Sequence, residues 1–147
     1  MKCPYCGKDI HLVTGEEIYP HRNDLHMKNF WLCKPCNAYT GTHDKNPKRG
    51  FNGTEPLGTL ANAKLRKLRK DTHAVFDLIW QEKYFTRSNA YEWLAKQMNI
   101  HTNKCHIAMF DEAQCNKAIN ICETFLNNPK ETNVCKLTQL VNLFRKK

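Results

Sequence analysis

The sequence predicts an α+β protein: an N-terminal zinc ribbon of short β-hairpins built on four cysteines, followed by a helical domain of three to four helices. Three observations predict it. Two Cys-x-x-Cys pairs stand near the N-terminus with β-prone runs between them; a stretch dense in Gly, Pro and Asn follows; and the remainder shows apolar residues at helical spacing. A metal-stapled module and a modest helical core together suit a chain of 147 residues.

The pairs CPYC and CKPC supply Cys3, Cys6, Cys33 and Cys36. Each pair offers two thiolates from one tight turn, and four thiolates close a tetrahedron around zinc with no open coordination position. The expected cofactor is therefore one structural zinc ion, and catalysis would have to lie elsewhere. Pro4, Gly7 and Pro35 are turn formers that let backbone amides face the sulfurs. The spacer from Gly7 to Leu32 exceeds the roughly 15 to 20 residues common between such pairs, which a longer hairpin absorbs. A thioredoxin-like redox pair is the alternative, disfavoured because no βαβ pattern surrounds either motif.

Strands are expected in the runs IHLV (10–13), EEIY (16–19) and NFWL (29–32), which makes residues 1–42 the zinc ribbon. Residues 43–58 read as a Gly/Pro-rich linker loop made basic by Lys45, Lys48 and Arg49. Residues 59–147 form the helical domain. Thr59 is placed to cap a long helix reaching about Lys83, with Ala61, Leu65, Leu68, Thr72, Val75, Phe76 and Ile79 on one stripe. Ser88 would cap a second helix over NAYEWLAKQM that Asn99 closes in a left-handed turn. Asp111 and Gln114 form a capping box for a third, from Glu112 to about Leu126. Beyond Pro129, residues 130–147 place Val134, Leu137, Leu140, Val141 and Phe144 on one face of an appended amphipathic helix.

The charge is uneven: 23 Lys and Arg against 14 Asp and Glu give +9. Such a balance favours an anionic partner, either nucleic acid or an acidic protein surface. No apolar run approaches the roughly 20 residues that cross a bilayer, and the start lacks the apolar core of a signal peptide. A cytoplasmic protein without a membrane partner is expected, in which eight cysteines serve as metal ligands and buried thiols rather than disulfides.

The motifs CPYCG, RNDLHMKNFWLCKPCNAYTGTH, PLGTLANAKLR, HAVFDLIW, AYEWLAKQMNI and CHIAMFDEAQC occur in that order between Met1 and about Phe125. In this they resemble a family of small zinc-finger-containing proteins found mainly in bacteriophages and prophages. The resemblance implies a zinc ribbon and a phage or prophage setting, so the cytoplasm expected above is that of a bacterial host cell.

Two constellations bear on function. The run KLRKLRK sets Lys64, Arg66, Lys67, Arg69 and Lys70 on the first turns of the long helix; with Lys45, Lys48 and Arg49 they could track phosphates, where the plainer reading is a solvated helix face. The second is His73, Asp77, Cys105 and His106, which would make a second metal site or a hydrolytic centre if they converged. Packing and capping explain its neighbours Asp111, Cys115 and Cys122 as well. The sequence therefore favours non-catalytic binding of nucleic acid through the basic helix. Capture of a host protein is the alternative, and a metal-dependent nuclease ranks lowest.

Overall fold

Three short antiparallel strands, β1 (His11–Thr14), β2 (Asn29–Cys33) and β3 (Ala38–Gly41), pair in the order β1-β2-β3. The computed structural model describes residues 1–82 and 84–127, so the appended helix expected over 130–147 lies outside the described residues. The chain divides into two units, Met1–Lys67 and a second beginning at Leu68. Each has its own apolar interior.

In the first unit the register sets Thr14 opposite Asn29 and Cys33 opposite Ala38. The chain must therefore leave β1 and return beside it. It does so through one helical turn, α1 (Gly15–Ile18), where EEIY was expected to be a strand. Glu16 and Glu17 sit in the first turn of α1, where carboxylates favour helix, and the amide of Tyr19 closes the turn on the Gly15 carbonyl at 2.7 Å. Gly15 is required by close approach, because a Cβ there would overlap the Leu25 carbonyl. Tyr19, Phe30 and Tyr39 meet edge to face with centroids 5.8 to 6.1 Å apart.

The segment after β3 folds back onto the sheet. Leu57 donates to Gly41 at 2.9 Å, the Trp31 indole donates to the Thr54 carbonyl at 2.7 Å, and Ala61 pairs with Tyr39 as an isolated bridge. That last pairing holds Ala61 extended. The long helix α2 (Ala63–Gln81) consequently starts later than Thr59 predicts, and its cap is Asn62, whose Oδ1 accepts from the Leu65 amide at 3.0 Å.

In the second unit α2 buries Thr72, Phe76 and Ile79, as its stripe predicts. Helix α3 (Arg87–Met98) is capped by Thr86 rather than Ser88: the Thr86 hydroxyl accepts from the Asn89 amide, and Ser88 falls inside the first turn. Asn99 ends it at φ 56°, the left-handed closure expected. Helix α4 (Glu112–Asn127) opens with the capping box: Asp111 accepts from the Gln114 amide at 2.8 Å, and Gln114 accepts from the Asp111 amide at 3.1 Å. Phe85, Trp93 and Phe125 stack at centroid distances of 5.0 to 5.8 Å in its core, and Phe110 is fully buried.

Candidate metal centre

Two turns bring the four cysteines together. Cys3 and Cys6 flank a turn closed by the Gly7 amide on the Cys3 carbonyl at 2.8 Å, with the Cys3 amide donating to Lys8. Cys33 and Cys36 occupy the link between β2 and β3, where the Asn37 amide donates to Lys34 at 3.1 Å. The residue after each second cysteine is left-handed: Gly7 at φ 74° and Asn37 at φ 48°. Each turn reverses within so few residues that its exit needs this conformation, open to Gly and tolerated by Asn. Gly7 is legible in the sequence as a turn former. Asn37 is the counterpart that goes unread without the structure.

The four sulfurs all lie within 4.8 Å of one another. Cys6 and Cys33 stand 3.6 Å apart, close to the edge of about 3.8 Å of a sulfur tetrahedron with zinc–sulfur bonds of about 2.3 Å. Cys3 and Cys33 are buried beside Ile10, Ala38 and Leu60, while Cys6 is exposed and Cys36 half-buried. The Tyr5 amide donates to the Cys3 sulfur at 3.4 Å. Burial opposes the Cys3 thiolate, but amides of Tyr5 and Cys6 and hydrogen bonds from Cys33 and Cys6 outweigh it and bring Cys3 down to about 7. Hydrogen bonding with Cys6, then burial, pushes Cys36 up to about 12. Four thiolates this close repel unless a cation sits among them, and a soft four-sulfur set with no open position suits zinc.

The other candidate residues do not converge as ligands. His73 Nδ1 lies 3.9 Å from Asp77, whose carboxylate also accepts from the Trp80 indole at 3.2 Å. Cys105 is buried and its thiol is pushed up to about 11 by that burial, whereas His106 is exposed with its ring 6.4 Å from the Tyr91 ring. Among the described residues the four cysteines form a metal-competent cluster; His73, Asp77, Cys105 and His106 do not.

Two arginines of the basic run brace the fold. Arg66 Nη1 donates to the carbonyls of Asn37 and Ala61 at 2.8 and 2.7 Å, and its guanidinium lies 3.9 Å over the Tyr39 ring. Arg69 donates through Nε and Nη2 to the Phe110 carbonyl at 3.0 and 2.9 Å. Lys64, Lys67, Lys70, Lys45, Lys48 and Arg49 are exposed. Sequence alone makes the seven-residue run look uniform, because alternating Arg and Lys carry the same charge.

Residues 1–125 match the model of a family described as a zinc-finger-containing domain. No curated protein and no solved structure matches the chain. No helix among the described residues is long and apolar enough to cross a membrane.

Proposed function

The chain belongs to the family of zinc-finger-containing domains, and from that premise we propose that it is a zinc-stapled, non-catalytic nucleic-acid-binding protein of the bacterial cytoplasm, in the phage or prophage setting its motifs resemble. The zinc ion holds the ribbon; the contact with nucleic acid comes from cations outside it. The observation that carries this reading is the exposure of Lys64, Lys67 and Lys70 along the basic helix, whose arginines donate to carbonyls of the fold. Exposed lysines along one helix suit sequence-independent contact with phosphates. Lys45, Lys48 and Arg49 add to the same charge.

Three lysine–phosphate contacts correspond to a slope of about −3 in log K against log salt on B-DNA. Replacing Lys64 and Lys67 together with Gln is expected to weaken binding to every sequence alike and to flatten that slope by about 2, with zinc content unchanged. Binding of single and double strands alike weaker than micromolar at low salt, or indifferent to the double substitution, would count against nucleic acid and in favour of a host protein. One feature supports that second reading: a shallow depression of about 390 Å³ with Leu25, Phe30 and Leu57 in its lining.

A further inference from the structure

The loop after β3 carries a feature that neither the zinc site nor the lysines of α2 use. The rings of His43 and Phe51 stack with centroids 4.3 Å apart and planes within 6°. The Arg49 guanidinium lies 5.4 Å from the Phe51 centroid. The two rings and the guanidinium thus form one tier, with Lys45 and Lys48 exposed in the same loop. His43 and Phe51 are only half-buried and stand outside the cysteine-centred core.

The tier is braced. Asn46 and Phe51 exchange backbone hydrogen bonds of 2.9 and 3.0 Å, a 3-10 turn over Pro47–Arg49 fills the tip, and Gly50 at φ 77° reverses it. The His43 amide donates to the Glu55 carbonyl at 2.8 Å. The Glu55 carboxylate in turn accepts from the amides of Asn52 and Gly53 at 3.0 and 3.2 Å, and those hydrogen bonds, Asn52 first, hold its carboxyl below the usual range. Asp44, the carboxylate next to His43 in sequence, is paired with Lys28 at 2.6 Å. Rings fixed in this way lose little freedom when a further flat group joins them.

We propose that His43, Phe51 and Arg49 form a stacking platform for an unpaired base, so that the nucleic acid this protein takes is single-stranded. The inference rests on the nucleic-acid reading above and narrows it. In a duplex the base faces are already covered by their neighbours and a surface tier gains nothing from them. An unpaired base presents a bare π face to any ring or guanidinium plane, while its flanking phosphates meet Lys45 and Lys48. Stacking of this kind is indifferent to base identity, in keeping with lysines that read no sequence.

The experiment compares a thymidine oligonucleotide of about 15 nucleotides with a duplex of the same length, at low salt, on the zinc-loaded full chain. The single strand is expected to bind more tightly. Phe51→Leu, which keeps an apolar side chain and removes the ring that His43 and Arg49 lie on, is expected to weaken it about tenfold at unchanged zinc content. Phe51→Trp is expected to retain binding, with its indole emission quenched by the oligonucleotide. Equal affinity for both nucleic acids with an unaffected Phe51→Leu overturns the platform and leaves the phosphate reading standing. Binding of neither overturns both. If Phe51→Leu loses zinc, the quench decides, and its absence overturns the platform.

Discussion

Arg66 and Arg69 differ from the lysines around them in what their heads can reach. A planar guanidinium spans two carbonyls and lies flat on a phenol ring, which a single ammonium cannot do at once. Arg66→Lys preserves charge and is expected to destabilise the first unit by about 1–2 kcal/mol, because the Asn37 and Ala61 carbonyls and the Tyr39 face lose their partner. Chemical denaturation checks it, and an unchanged midpoint would remove Arg66 from the structural set. Buried thiols make a second case. Cys122 is fully buried, and burial first, then Cys105 and Glu123, push its thiol up to about 12 from an ordinary value near 9. The unfolded chain then releases this proton near pH 9 while the folded one keeps it, so the stability it confers is full below pH 9 and is lost as pH rises from about 9 to 12. Cys122→Ala should make the alkaline fall in stability shallower; an identical pH profile in both proteins would contradict this.

Each element begins where its neighbours allow. Helix α2 cannot begin at Thr59, since Ala61 is still paired with Tyr39, and the cap falls to Asn62. Asn62→Ala should therefore cost about 1 kcal/mol in thermal or denaturant unfolding, the usual worth of a cap. An effect below a few tenths would mean that the Asn62 side chain does not set the helix start. The same logic governs α1. Its four residues are too few to be stable alone, and they are helical because β1 and β2 pair at Thr14 and Asn29 and the chain must turn back on itself.

The chain divides into two compact units, and the four clustered cysteines lie in the first. Zinc binding is accordingly coupled to the folding of Met1–Lys67. One zinc per chain is expected by metal analysis, falling to well under half in Cys3→Ser. Stripping the metal with a strong chelator should abolish the β-sheet signals and leave much of the helical circular dichroism, because the core around Phe76, Trp93 and Phe125 has no part in the metal site. Cooperative loss of all structure on chelation would show that the second unit needs the first.

Much of this was written in the chain itself. Paired cysteines at fixed short spacing, the capping box at Asp111 and Gln114 and the apolar stripe of α2 are local patterns, each decided by residues within a turn or two of one another, and the structure keeps them. What the sequence could not decide depends on distant partners. Glu16 to Tyr19 satisfy the local criteria for a strand, yet the pairing of β1 with β2 leaves them to turn the chain. Asn37 looks like any loop residue until the second cysteine turn must exit through it. Arg66 looks like its neighbouring lysines until the Tyr39 ring and two carbonyls lie within reach, and His43 and Phe51, eight residues apart, become one stack only when the hairpin between them closes. Local propensity depends on neighbours along the chain, whereas the use of a side chain depends on what folding brings beside it.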